Sequence, residues 1–305
     1  MSRRLIIGTR GSRLALWQAE WAKAALRRRL SEVEVDLKVI RTSGDRDQTT
    51  PLGQLGGRGV FTKEIERALL AGEVDVAVHS LKDLPTDLPE GLALGAVSPR
   101  EDCRDALIAR TASSFAALPQ GGRVGTGSLR RRALLLHVRP DLRMQDLRGN
   151  LDTRLRKLET EGLDAIVLAV AGLARMGWAD RITERLPFSV CLPDAGQGAI
   201  GIEVRADDSE ALRAVSVLND VDTRCSVTAE RALLKALGGG CQVPIGAWGR
   251  VEDGRLKLDA VIASVDGKRL IRDGAEGARE GPEEVGQGLA ERLLQQGAEE
   301  ILRGG

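Results

Sequence analysis

The chain has 305 residues, 42% hydrophobic and 29% charged, which suits two domains or three small ones. Its 45 basic and 44 acidic side chains leave a net charge of +1, and it has three Phe, four Trp and no Tyr, so it is not expected to bind nucleic acid by bulk charge or base stacking. Two histidines and four scattered cysteines (Cys103, Cys191, Cys225, Cys241) without a C-x-x-C argue against a metal site and against a disulfide framework.

Leu5–Gly8 reads as a buried strand, followed by a helix in which Leu14, Leu16, Trp17, Trp21, Ala24 and Ala25 recur near helical spacing. Val33–Ile40 alternates as a strand, Phe61–Ala71 reads as a helix and Val74–Val78 as a strand. A strand ending at Val124-Gly125 leads into a helix over Leu129–Val138. Then come a strand-like Leu142–Leu147, a helix over Leu151–Glu161 and a buried strand over Ala165–Val170. Strands separated by helices predict parallel β-α-β units. After Ala206 the texture changes: helices over Asp208–Leu218 and Asp222–Leu237, a stop at Gly238-Gly239-Gly240, and an antiparallel meander over Val251–Asp273 with turns at Asp253-Gly254 and Asp266-Gly267. One amphipathic helix over Glu284–Leu302 closes a small α+β domain. No signal peptide opens the chain and no stretch approaches bilayer length, so a cytoplasmic protein that does not engage a membrane is expected.

Ile7-Gly8-Thr9-Arg10-Gly11-Ser12 and Val124-Gly125-Thr126-Gly127-Ser128 echo one another, each a strand end, a Gly/Ser turn and a helix start. Such turns present unpaired backbone N–H groups to an anion, and two copies point to two similar α/β domains facing one cleft; a pair of ordinary Ser-capped turns is the plainer alternative. The Gly- and Thr-rich segment between Arg41 and Val60 reads as a lid or as a plain surface loop.

The common hydrolase, P-loop and dinucleotide motifs are absent from the sequence. Arginine outnumbers lysine, 37 to 8, and Arg130, Arg131 and Arg132 occupy the first turn of a helix, where the dipole disfavours cations. A bound anion would resolve that conflict; a solvated basic face is the alternative. Arg148-Gly149-Asn150 and Arg154 repeat the pattern at the next helix start. Lys82 and Asp83, in His79-Ser80-Leu81-Lys82-Asp83-Leu84-Pro85, follow a strand directly, where open α/β sheets place ligands. Asp83 suits an acid or a fixed counter-charge to a cation, or is a turn carboxylate before proline. Cys241 sits on a Gly-rich loop that makes its thiol accessible, whereas Cys103, Cys191 and Cys225 read as structural.

Together the motifs IGTRGSRLALWQAE, GGRGVFTKEIE, VHSLKDLPT, VGTGSLRRRA, RGNLDTRLRKL, GQGAIGIE and GGGCQVPIGA make the chain resemble the porphobilinogen deaminase (hydroxymethylbilane synthase) family of tetrapyrrole biosynthesis, from about Ile6 to the final helix. The resemblance implies a transferase that polymerises porphobilinogen head to tail with loss of ammonia. It also implies a dipyrromethane cofactor held by a thioether to Cys241. The implied fold is two α/β domains like periplasmic binding proteins, with a cleft between them, and a small α+β C-terminal domain. Their spans would be 1–98 plus about 198–217, 99–197, and 218–305, with a lid over 42–60.

By the same resemblance Asp83 and Lys82 are the catalytic pair. Cys241, Lys82, Asp83, Thr126, Ser128, Arg130, Arg131, Arg148, Gly149 and Arg154 bind the cofactor, and Arg10, Ser12, Arg148, Arg154 and Arg175 bind substrate carboxylates. Asp83 is expected to stabilise the cationic azafulvene that deamination creates, with proton shuttling secondary. Arg58 stands where many family members have Lys in the lid motif; Phe61, just after it, packs on a pyrrole or is a core Phe opening a helix. A monomer without an obligate protein partner is expected. The competing reading is a non-catalytic anion-binding module of the periplasmic type.

Overall fold

A computed structural model describes residues 3–30, 32–46, 59–238 and 243–303, with backbone only at Arg3 and Arg46. Strand β1 (Arg3–Thr9) turns Leu5 and Ile7 inward, fully buried, and runs parallel to β2 (Val33–Val39) in register from Arg3↔Val33 to Thr9↔Val39. Helix α1 (Arg13–Arg29) covers them with Ala15, Ala19, Ala22 and Leu26, whose spacing of three and four keeps one apolar face on the sheet. After α2 (Ser43–Arg46) and α3 (Lys63–Leu70), strand β3 (Val76–Ser80) adds parallel to β1 and ends in a 3-10 turn over Leu81–Asp83.

The parallel expectation is only half the architecture. Strand β10 (Ile200–Arg205) inserts antiparallel between β3 and β4 (Leu92–Val97), giving the sheet order β2-β1-β3-β10-β4. The second sheet repeats the plan. Strand β6 (Arg123–Gly125) runs parallel to β7 (Arg143–Gln145) and β8 (Ala165–Ala169), and β5 (Asp105–Ala109) lies antiparallel between β8 and β9 (Glu184–Arg185), in the order β7-β6-β8-β5-β9. Each sheet thus takes an antiparallel strand from a segment where the chain passes between the two. Those passages carry the strands that local patterning does not register: β4, β5 and β10 are short and pair with segments far away in sequence.

The helices of the second sheet are α4 (Leu129–Val138), α5 (Leu151–Thr160) and α6 (Val170–Arg175). Strand β8 is buried on both faces, as a strand covered by helices on either side should be. Helix α7 (Ser209–Ser216) then packs beside β4 and β10.

The remainder is a three-stranded meander, β11 (Ile245–Glu252), β12 (Arg255–Ala263) and β13 (Leu270–Ala278), covered by α8 (Val221–Ala236) and α9 (Pro282–Gln295). Asp253 and Gly254 both take positive φ (51° and 74°), the geometry of a two-residue hairpin turn. The single closing helix expected over 284–302 is instead two helices. Gly297 at φ 93° accepts the left-handed conformation that ends α9, and α10 (Ala298–Arg303) follows.

Candidate active site

The carboxyl ends of β1, β3 and β6 converge on one cleft of about 260 Å³. At its rim two helix N-termini carry the echoed turns. Ser12 caps α1, its Oγ accepting from the Ala15 amide at 3.3 Å, and Ser128 caps α4, accepting from the Arg131 amide at 3.4 Å. Both serines line the cleft, so the turns are capped helix starts and face one space as well. The 3-10 turn of Leu81–Asp83 is held by the Leu81 amide donating to the Ala199 carbonyl at 3.0 Å, and it brings Lys82 and Asp83 to the same space.

Among the described residues, seven cationic side chains line the cleft (Arg10, Arg13, Lys82, Arg131, Arg148, Arg154, Arg175), against three acidic ones (Asp83, Asp152, Asp194). Burial, reinforced by Arg131 and Arg148, pulls Arg154 down to about 10, and burial does the same to Arg175. Both stay charged at neutral pH, and the direction marks positive charge without a matching counter-charge. Arg154 Nε donates to the Gly149 carbonyl (2.8 Å) and Arg175 Nη2 to the Gly198 carbonyl (2.6 Å), so backbone aims both groups. Gly149 itself lines the cleft at φ 111°, where a Cβ would press on Thr153 at 2.7 Å. A polycarboxylate such as a dipyrromethane, with acetate and propionate on each ring, fits this donor set.

Arg10 is already engaged. It grips Asp45 (Nη2 to Oδ1, 2.6 Å) and lies over the Phe61 ring, 4.1 Å from the centroid. Burial would raise Asp45, but the Arg10 hydrogen bonds outweigh it and hold the carboxyl below the usual range. Phe61 sits against Gly44 and lines the cleft, which places it between the two readings of the sequence: it packs within the protein and faces the site. Arg58, Cys241 and the greater part of the 42–60 segment lie outside the described residues.

Two of the expected ligand residues, Arg130 and Thr126, are not among the residues lining the cleft. Arg130 is 3% exposed and engaged within the protein: Nη1 donates to Asp105 Oδ2 (2.7 Å), to the Leu192 carbonyl and to Cys191 Sγ (3.4 Å). Thr126 is also 3% exposed and does not line the cleft; its Oγ1 accepts from the Ser128 amide at 3.2 Å, shaping the turn from behind. The cations at the start of α4 therefore find an internal counter-charge in Asp105. Burial would raise this carboxyl, but Arg130 and Arg131 hold it far below the carboxylate range.

Sequence reasoning overlooked Asp105 and Gln197. The Gln197 amide joins the two sides of the cleft. Its Oε1 accepts from Lys82 Nζ (3.0 Å) and Arg131 Nη2 (3.4 Å), while Nε2 donates to the Cys103 carbonyl (2.8 Å) and Asp105 Oδ1 (2.8 Å). Burial and the nearby Arg131 lower Lys82 from the ordinary lysine value. The signal for Asp105 was available, since consecutive arginines in a first helical turn call for an acid. The one for Gln197 was not, because glutamine carries no charge pattern. Cys103, Cys191 and Cys225 are buried free thiols, raised by burial to about 11 at Cys103 and about 12 at Cys191, in keeping with structural roles.

Two α/β sheets flanking a cation-rich cleft, with a Lys–Asp pair at the end of a central strand, define an α/β protein built to hold a polyanion beside a carboxylate. Residues 5–213 match the family described as porphobilinogen deaminase, dipyromethane cofactor binding domain, and residues 224–295 match the porphobilinogen deaminase C-terminal domain. The porphobilinogen deaminase of Desulforudis audaxviator is 53% identical over 302 residues, covering 99% of this chain and 98% of the relative. That of Geobacter sulfurreducens is 52% identical over 299 residues, covering 98% and 94%. The chain belongs to the porphobilinogen deaminase family. Two solved structures show a distant likeness in fold. A methionine-binding lipoprotein of Bacillus subtilis gives a TM-score of 0.44 at 14% identity, covering 72% of this chain and 91% of that one. An arginine-specific periplasmic binding protein of Salmonella typhimurium gives 0.39 at 15%, covering 71% and 91%.

Proposed function

We propose that the protein acts as a porphobilinogen deaminase (hydroxymethylbilane synthase), a transferase that joins four porphobilinogen molecules head to tail into hydroxymethylbilane and releases ammonia at each addition. The observation that carries this reading is the Lys82–Asp83 pair at the carboxyl end of β3, inside a cleft with cationic walls. A binding module needs the cations; it has no need of a carboxylate among them.

Asp83 supplies fixed negative charge where a pyrrole nitrogen turns positive as ammonia leaves, and it gains effect from being preorganised. Lys82, held by Gln197, sits beside it as the second member of the catalytic pair. A dipyrromethane tethered through a thioether to Cys241 supplies, when bound, the free α-position to which pyrrole units are added. Lys82, Asp83, Ser128, Arg131, Arg148, Gly149 and Arg154, which line the cleft, would hold it together with Thr126 and Arg130. Arg10, Ser12, Arg148, Arg154 and Arg175 receive substrate carboxylates, each pair contributing about 1–3 kcal/mol in a partly desolvated cleft. Arg58, outside the described residues, and Phe61 are read as lid residues. The same reading divides the chain into 1–98 plus about 198–217, 99–197 and 218–305, and takes it as a cytoplasmic monomer with no obligate partner; native mass checks the last point.

Intact mass of the purified protein beside its Cys241→Ser variant tests the proposal. An excess of two pyrrole units that depends on the cysteine is expected. Bare polypeptide mass in both, persisting after incubation with porphobilinogen, would overturn it.

A further inference from the structure

Helix α8 turns one of its faces to the segment that leaves the Lys82–Asp83 turn. Val227, fully buried, shares an apolar cluster with Leu81, Leu84 and Ala199. One helical turn further on, Arg231 Nη1 donates to the Leu84 carbonyl at 3.0 Å. Its Nη2 donates to the carbonyls of Pro85 (2.5 Å) and Thr86 (3.3 Å). A turn beyond that, Lys235 pairs with Asp87. Residues four apart share a helix face, so the stripe Val227–Arg231–Lys235 follows the chain from Leu84 to Asp87.

Residues 84–87 belong to no strand or helix, and among the described residues no backbone donor reaches the carbonyls of Leu84, Pro85 or Thr86. Partly buried carbonyls need partners, and a planar guanidinium with forked donors serves several at once where an ammonium group cannot. The Asp83 carboxylate, for its part, makes no hydrogen bond or ion pair with the described residues, so the backbone on either side sets its place.

We propose that Arg231 is a positioning residue for Asp83, fixing the exit of the turn as the Leu81–Ala199 bond fixes its entry. The Leu84 amide closes the turn on the Leu81 carbonyl at 3.1 Å, and the carbonyl of the same Leu84 is held by Arg231. Arg231 does not line the cleft, so it acts on the reaction through the turn and not through the ligand. A carboxylate that stabilises a developing cation works only from a preorganised place, and α8 supplies that place from outside the two cleft domains. What Arg231 holds follows from the geometry; that Asp83 is the group served rests on the deaminase reading.

The test compares wild type with Arg231→Met and Arg231→Lys. In Arg231→Met kcat should fall by about 10- to 100-fold, the scale of a small displacement at a reacting centre. KM should stay within about twofold, since no ligand contact is removed. The mass excess of two pyrrole units should remain, and Arg231→Lys should recover part of the loss. Unchanged kcat, or a loss carried by KM, would overturn the proposal. Hydrogen exchange at the Leu84 amide gives a readout that needs no turnover. It should quicken by about tenfold or more in Arg231→Met while the amides of β10 keep their protection. Equal exchange at Leu84 in variant and wild type would overturn the proposal, as would a quickening of the same size across β10, which marks general loss of structure. A wild type that does not turn over porphobilinogen would defeat the deaminase reading instead, and exchange would still decide whether Arg231 holds the turn.

Discussion

Arg131 enters the cleft with its guanidinium already clamped by Asp105: Nε and Nη2 both donate to Oδ1, at 2.9 and 2.7 Å. Its neighbour Arg130 takes the other oxygen at 2.7 Å, so one fully buried carboxylate serves two arginines in the first turn of one helix. This arrangement lets cations stand where the helix dipole opposes them, and it presents Arg131 to a ligand in a fixed pose.

Replacing Asp105 by Asn should therefore destabilise the fold by about 3–5 kcal/mol, because two buried guanidinium groups lose their counter-charge. Chemical denaturation at neutral pH measures it. Asp105 has its carboxyl depressed on folding, so its contribution is full above the unfolded value of about 4 and shrinks as pH falls below it. The gap between wild type and variant should narrow on acidification.

Gln197 is the only described side chain that hydrogen-bonds Lys82 and Asp105 together. Gln197→Glu keeps the shape but aims a carboxylate oxygen at Asp105 Oδ1 and the Cys103 carbonyl, both of which now accept from Nε2. Leaving such buried groups unsatisfied costs about 1–3 kcal/mol each, so kcat should fall by about 10-fold or more. Gln197→Met, which removes both functions without adding charge, should lose less. Equal kcat in wild type and Gln197→Glu would show that the bridge does not position Lys82.

Asp83→Asn tests the counter-charge directly. The variant should still carry the mass of two pyrrole units, since the thioether does not involve Asp83, while turnover drops by about 10²–10³-fold. Near-normal turnover would remove Asp83 from the catalytic role.

Much of the local structure was legible in the sequence. Helix α4 spans Leu129–Val138 as its apolar spacing indicates, and the Asp253-Gly254 turn joins β11 to β12. Both are decided by residues a few positions apart. Strand β10 was not legible from local patterning, although the family resemblance implied that about 198–217 rejoins the first unit: its pairing with β3 sets Ile200 against Ser80 and Val204 against Val76, and nothing within reach of Ile200–Arg205 encodes a partner more than a hundred residues away. Gly297 shows the smaller failure of the same kind: apolar periodicity runs through it from Leu293 to Ile301, and only the left-handed backbone there divides the helix.

For the site, the sequence alone determined the kinds of group present and the turns that carry them: a Lys–Asp pair after a strand, arginines at helix starts, a cysteine among glycines. The tertiary structure decided which of those groups meet. Arg130 and Arg131 are indistinguishable as text, both basic and both in the first turn. Being adjacent on a helix separates them by about 100° around its axis. One therefore turns to Leu192 and Cys191 behind the wall, and the other to Gln197 at the cleft. Periodicity describes how a helix meets its surroundings on average; which wall lies opposite each side chain is settled by packing across the chain.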